Sequence, residues 1–445
     1  MHHAERESEN NWNMTEQNND VKRILILTAD AGFGHRSAAN AIAAALQNTY
    51  GDTCAVEIVN PLESKRVPAF LRDSQADYDR IVREMPNLYE FGYQASDAAV
   101  PTTVVESALT VILFEAMRNI VRRHRPDVIV TTYPLYQAPL GAVYAIRRRY
   151  VPLLTVITDL VTVHRLWFHE ATDLCLVPTQ AVRDLALKYG LPADKIRITG
   201  IPVRPDLAKE DQDPAAIRAE LGWRTDLTTM LAVGSKRVGR LPDVLRVLNH
   251  SGLPLQLAVV AGGDDELYRQ LQATEWHVPT HVYNFVTDMP SMMHTADCII
   301  CKAGGLIVSE ALACGLPLLL IDVLPGQEAG NADYVVGGAA GERAEDPIAA
   351  LETVCHWLDR DGALLAERAH NARRLGRPRA AYEVAEQARA AAERGPSARI
   401  GLGVLGQPKV IDLLTRHGVL GKRREGGGKE EAGESTTDKE IHDNG

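Results

Sequence analysis

The chain has 445 residues, 45% of them hydrophobic and 24% charged, with a formal net charge of −10. Single cores stop growing at about 250 to 300 residues, so two domains are expected, and the acidic balance argues against nucleic acid as the main partner. The charge is uneven: residues 21–205 hold 21 Lys and Arg against 18 Asp and Glu, so the first half can meet an anionic surface that the rest would avoid.

Residues 1–20 and 421–445 are polar, charged or Gly-rich and nearly free of aliphatics; both are expected to be disordered tails. The six cysteines are scattered, and no apolar segment of signal-peptide type precedes the first strand. A cytoplasmic chain with reduced thiols is expected. Cys298 and Cys301 form a C-x-x-C inside an apolar strand rather than on a helix-opening turn, which favours buried packing over redox chemistry or zinc.

In chain order, an apolar run at 21–27 reads as the first strand and delivers Thr28-Ala29-Asp30-Ala31-Gly32-Phe33-Gly34-His35-Arg36 into a loop before an Ala-rich helix. Gly32 and Gly34 fit G-x-G, but Ser37 stands where a dinucleotide fingerprint needs its third glycine, which weighs against a nicotinamide cofactor. A lone histidine is more often structural, but His35 sits on a loop where its imidazole would face a cleft. A second strand is expected at 55–59. Residues 61–121 then mix Lys65, Arg66, Arg72, Arg80 and Arg83 with Phe70, Tyr78, Tyr89 and Phe91, either to lie on lipid headgroups or as a solvated helical excursion. The uncharged run 107–114 is far too short to span a bilayer and fits a buried helix better than an interfacial dip.

Further strands are expected at 127–132, 153–157, 174–177 and 196–199, apolar as in a parallel sheet covered on both faces. Thr158 and Asp159 follow the strand at 153–157, and the next stretch carries His164, Trp167 and His169. Two histidines five apart do not match helix-face metal spacing, so no metal site is expected. Gly200-Ile201-Pro202-Val203-Arg204-Pro205 is a stiff exit, and 206–225 a charged hinge. The alternation resumes with strands at 229–233, 255–260, 282–286, 298–301 and 318–321. From 346 to 393 the chain reads as helical, broken near Gly376 and Pro378, and the later helix can cross back to the first half. The fold class is α/β, with two doubly wound Rossmann-like domains facing across a cleft.

The most informative stretch follows Cys301. Strand, Gly304-Gly305 turn, helix, Gly315-Leu316-Pro317 and strand make one βαβ unit, whose helix amides face any anion bound at the sheet's carboxyl edge. Glu310, one turn into that helix, can accept both hydroxyls of a ribose, and Gln327, Glu328 and Asn331 form a polar cluster suited to sugar hydroxyls. Together they read as a nucleotide-sugar pocket.

Four blocks of sequence carry a narrower likeness. Asp30-Ala31-Gly32-Phe33-Gly34-His35-Arg36-Ser37-Ala38, Val156-Ile157-Thr158-Asp159-Leu160-Val161-Thr162-Val163-His164 with Trp167, the segment Gly200 to Pro205, and Pro325-Gly326-Gln327-Glu328 with Asn331 resemble the motifs of monogalactosyldiacylglycerol synthases and their bacterial diacylglycerol glucosyltransferase relatives, within the GT-B glycosyltransferases. The resemblance runs from about residue 21 to about residue 375. It implies an acceptor- and membrane-facing domain at 21–205, a hinge at 206–225, a UDP-sugar domain at 226–375 and helices at 376–420 that can pack back on the first domain.

The resemblance further implies an inverting hexosyltransferase that moves galactose or glucose from a UDP-sugar to the 3-hydroxyl of 1,2-diacylglycerol. His35 would be the general base or help hold the donor phosphates, with Asp30 and Asp159 lining the cleft beside it. Phe285 and Val286 would seat the uracil, Glu310 the ribose, Arg204 with Gly304 and Gly305 the diphosphate, and Gln327 and Glu328 the hexose. Gly234, Met289, Lys302 and Asn331 join the donor side, and Gly34, Thr158, His164 and Trp167 the acceptor side. Relatives carry Thr or Ser near Ile307, so one hydroxyl to the diphosphate is replaced. No cofactor beyond the donor is expected. Partners would be the UDP-sugar and diacylglycerol in an anionic membrane surface, reached peripherally from the cytoplasmic face without a transmembrane span. A UDP-N-acetylglucosamine transferase acting on a polyprenyl-linked acceptor, or a non-catalytic sugar-nucleotide-binding protein, remain the alternatives.

Overall fold

A computed structural model describes residues 21–30, 33–69, 71–72, 99–147, 149–209, 213–236, 238–324 and 326–397. The two tails and most of the basic and aromatic stretch after Phe70 lie outside the described residues. Among the described residues, the first lobe holds strands β1 (Lys22–Leu27), β2 (Cys54–Val59), β3 (Val128–Thr131), β4 (Leu153–Val156), β5 (Leu174–Val177) and β6 (Ile196–Ile198). They form one sheet in the order β2-β1-β3-β4-β5-β6, with every pairing parallel. The middle strands β3 and β4 are buried at every position, because helices α1 (Phe33–Tyr50), α2 (Ala99–His124), α3 (Gln137–Arg147) and α4 (Gln180–Lys188) separate and cover them. Leu109, Leu113 and Phe114 of the uncharged run are core residues of α2, as expected of a buried helix. No described helix is long and apolar enough to cross a membrane.

Helix α5 (Pro214–Leu221) lies in the connection, started by Asp213 and Pro214 and stopped by Gly222 in the left-handed region at φ 71°. The second lobe alternates β7 (Thr228–Val233), α6 (Leu241–Asn249), β8 (Leu255–Val260), α7 (Asp265–Gln272), β9 (Thr280–Tyr283), α8 (Met289–Thr295), β10 (Cys298–Lys302), α9 (Gly305–Ala313), β11 (Leu318–Asp322), α10 (Gln327–Gly337) and β12 (Gly341–Arg343). Its sheet runs β12-β11-β10-β7-β8-β9, again parallel throughout. Strand β12 is too short to register as an apolar run, and β9 ends at Tyr283 rather than at Val286. Asp264, Asp288 and Asp346 each cap a helix through their side chains. Helices α9 and α10 instead begin on Gly304 and Gly326, which have no side-chain cap, so their first amides stay open toward the carboxyl edge of the sheet.

Two further helices, α11 (Pro347–Leu358) and α12 (Ala363–Leu375), close the second lobe, and α13 (Ala380–Arg394) does not belong to it. Ala381, Val384, Ala385, Ala388, Ala391 and Ala392 of α13 pack with Ile24, Ile26, Ala39, Ile42 and Leu176 of the first lobe. A helix lined with alanine brings its backbone close to α1, and that closeness leaves no room for a larger side chain. Ala388→Leu is therefore expected to cost about 1–3 kcal/mol by overpacking, read as a lowered urea midpoint with an unchanged slope.

Candidate active site

The first-lobe half of the site is built on three strand ends. Thr28 follows β1, Thr132 and Tyr133 follow β3, and Thr158 follows β4, all at the carboxyl edge of one parallel sheet. Thr132 Oγ1 lies 2.9 Å from Thr28 Oγ1 and 3.0 Å from the His35 carbonyl oxygen, which seats the first turn of α1 on the sheet. The Nδ1 of His35 is 3.0 Å from Thr158 Oγ1. Its ring meets Tyr133 edge-on at 5.0 Å and lies 6.0 Å from Trp167. Burial among these groups holds the imidazole down to about 4, with the Thr132 backbone as a partial counterweight. An exposed histidine would titrate near neutrality; desolvation instead favours the uncharged ring of His35, a proton acceptor.

The neighbouring candidates do different work. Asp30 is exposed and holds Arg36 in a two-pronged pair at 2.8 and 2.9 Å, while Asn60 Nδ2 donates to it at 3.0 Å. The Arg36 hydrogen bond keeps its carboxyl below the usual range, so Asp30 shapes the loop as a fixed anion rather than carrying protons. Asp159 is buried on the residue after Thr158. The Nδ1 of His164 accepts from Leu166 N at 3.1 Å and caps the short turn Arg165–Trp167, which sets buried Trp167 beside His35. The Nδ1 of His169 likewise accepts from Ala171 N. No metal-binding cluster exists among the described residues. A Cβ on Gly34 would meet nothing within 4 Å, and Gly32 lies outside the described residues. Thr132 and Tyr133 escape sequence reading, although a Thr-Thr-Tyr directly after an apolar strand is the same signal as Thr158-Asp159.

On the second lobe, Lys302 at the tip of β10 pairs with Glu328, whose other oxygen accepts from Leu324 N at 3.1 Å. Gly304 follows, where a Cβ would lie 3.2 Å from Lys302 Nζ. Glu310 is half-buried, and that burial pushes its carboxyl up to about 7 against the pull of Arg204. Arg204 donates to the Thr287 carbonyl at 2.8 Å and to Asp206 at 2.9 Å, tying the first-lobe exit to the loop after β9. In that loop Phe285 is 70% exposed, while Val286 and Met289 pack partly against the lobe's core. The side chain of Gln327 is outside the described residues.

Two residues expected on the donor side are also engaged in packing. Gly234 is a packing residue: a Cβ there would meet Leu267 at 2.8 Å and Leu241 at 3.0 Å, and its own oxygen lies 2.2 Å from where a Gly262 Cβ would stand. Asn331 is fully buried, and its amide is engaged between two backbones. Its Oδ1 accepts from Leu160 N of the first lobe, and its Nδ2 donates to the Ala303 carbonyl of the second, both at 3.0 Å. The two lobes also meet at Gly305, where a Cβ would lie 2.7 Å from the Thr158 carbonyl oxygen. Thr158 therefore holds the His35 ring with its hydroxyl while its carbonyl rests on the first residue of α9. The imidazole and the open helix terminus thus share one junction.

An imidazole that resists protonation when folded loses stability for the chain as pH falls. The contribution is full above the ordinary value of 6.5 and is lost as pH drops toward about 4, and His169, also held near 4 by burial, behaves the same way. The gap between urea midpoints at pH 7 and pH 5 is expected to shrink in His35→Gln.

A family model described as monogalactosyldiacylglycerol synthase matches residues 35–203, and one described as the glycosyltransferase family 28 C-terminal domain matches residues 231–357. A probable chloroplastic monogalactosyldiacylglycerol synthase of Glycine max is 34% identical over 374 residues, covering 82% of this chain and 70% of that protein. Monogalactosyldiacylglycerol synthase 3 of Arabidopsis thaliana is 32% identical, covering 82% and 80%. Among solved structures, MurG of Acinetobacter baumannii superposes with a TM-score of 0.54 at 17% identity, covering 83% of this chain and 99% of its own. The calicheamicin glycosyltransferase CalG4 gives 0.54 at 15%, covering 84% and 99%. Both neighbours have the GT-B fold, two parallel-sheet lobes like those described above.

Proposed function

Because this chain belongs to the monogalactosyldiacylglycerol synthase family and has the GT-B glycosyltransferase fold, we propose that it transfers a hexose with inversion from a UDP-sugar to the 3-hydroxyl of 1,2-diacylglycerol. The hexose is galactose, as the relatives' names suggest, or glucose. The observation that carries this reading is the Thr158 junction, which joins a neutral imidazole to the Gly304-Gly305 helix terminus.

The chemistry follows from those parts. A glycerol hydroxyl is too weak an acid to attack unaided, and His35, uncharged by burial, accepts its proton as the oxygen bonds to the anomeric carbon. The bond from that carbon to the diphosphate oxygen breaks with its electron pair passing to UDP, and the open amides of α9 stabilise the anion. Attack from the face opposite the leaving group inverts the centre and needs no sugar-enzyme intermediate. Exposed Phe285 offers an aromatic face to the uracil, and Glu310 accepts from the ribose hydroxyls. A bound ribose favours the Glu310 carboxylate, so donor binding near neutrality releases a proton. With no described helix able to span a bilayer, the acceptor is taken from a membrane surface.

His35→Ala is expected to lower transfer about 10²- to 10⁴-fold with UDP affinity nearly unchanged; equal loss of both would refute the role of base. The pH profile of kcat/KM for the donor should show an acid limb near 7 that disappears in Glu310→Gln. With that limb removed, the His35 limb should emerge only below about 5. Assays with diacylglycerol and each radiolabelled UDP-sugar test the donor and the product together, and absence of any glycolipid would end the proposal.

A further inference from the structure

We infer that Asn331 is a positioning residue: its buried amide clamps the first-lobe turn carrying Thr158 onto the donor strand and so sets how far His35 stands from the sugar nucleotide. The inference rests on the reading of this cleft as a glycosyl-transfer centre. Second-lobe contacts run along the whole turn from Thr158 to Thr162. Gly305 admits the Thr158 carbonyl, Asn331 accepts from Leu160 N, and a Cβ on Gly330 would lie 2.4 Å from Thr162 Oγ1. Thr179 of the first lobe donates to the Leu160 carbonyl at 2.7 Å, so each lobe holds one polar group of Leu160. The links run from the Ala303 carbonyl through the Asn331 amide to Leu160, then along two residues of backbone to Thr158 and the His35 ring.

Only asparagine makes both bonds at this reach. Asp keeps the acceptor for Leu160 N but turns a carboxylate oxygen toward the Ala303 carbonyl. Ala leaves the Leu160 amide and the Ala303 carbonyl without the partner they have here, at a cost that slackens the turn rather than the donor pocket. Transfer is sensitive to such slack, since a displacement of about 1 Å at a reacting group can cost about 10²-fold in rate.

The test compares Asn331→Asp and Asn331→Ala with the wild type in three measurements. These are kcat with saturating UDP-galactose and dioleoylglycerol in mixed micelles, UDP affinity by calorimetry, and hydrogen exchange of the peptide spanning 158–162. The expected result is a kcat about 10²-fold lower, a UDP Kd within about threefold of wild type, and faster exchange of that peptide. A purely structural role would lower kcat and UDP affinity together, and that outcome overturns the inference. So does an unchanged kcat with faster exchange. Should the Asn331 variants fail to fold, Gly330→Ala pushes the same turn through Thr162 without touching the amide, and the same split is expected. A wild type that transfers no hexose refutes the proposed function instead. The clamp is then judged by spin labels on the two lobes, whose separation must broaden in Asn331→Ala for it to stand.

Discussion

Backbone at residues 158–162 leaves β4 with peptide groups that the sheet no longer pairs, and burying such groups without partners is costly. The partners come from both lobes: the Asn331 amide takes the Leu160 N–H from across the boundary, Thr179 donates to the Leu160 carbonyl from the same lobe, and the glycines at 305 and 330 clear the space for the approach. The histidine, the open terminus of α9 and the Lys302–Glu328 pair all hang within a few residues of this contact. The cleft is therefore organised by satisfied backbone rather than by charge.

Desolvation sets the charge state of what remains. It lowers the His35 imidazole and raises the Glu310 carboxyl, so both groups are drawn toward their uncharged forms in the free protein. A pocket of the kind proposed, for a dianionic nucleotide, thus starts with two of its titratable groups close to uncharged. The exposed pairs Arg36–Asp30 and Arg204–Asp206 lie around it; being solvated, they fix loop geometry more than they add energy.

Strand order and register are consequences of apolar runs that the sequence shows openly, and eleven of the twelve described strands fall where those runs do. The exception, β12, has only three residues and is recruited by pairing with β11, a tertiary choice no local pattern encodes. Strand β9 stops at Tyr283, where its neighbour β8 gives way to Gly262 and Gly263 at positive φ, which leaves Phe285 outside the ladder. At the site, motif position correctly placed His35, Thr158, Glu310 and the Gly304-Gly305 turn at the carboxyl edges. It could not distinguish a polar residue that faces the cleft from one consumed inside the junction. Asn331 and Gly234 look like ligand residues by type, and the structure engages both between backbones, because direction depends on neighbours distant in the chain.

Helix α13 seals the apolar face of a sheet whose first strand is made some 360 residues earlier. On a ribosome, β1 and α1 emerge long before their cover exists, so the amino-terminal lobe must wait with Ile24, Ile26 and Ile42 incompletely shielded while the whole second lobe is synthesised. Nascent chains of this kind depend on holding factors or on prompt completion. Once the last helix arrives, both ends of the described chain lie on the amino-terminal lobe, and the second lobe is held between two attachments to it.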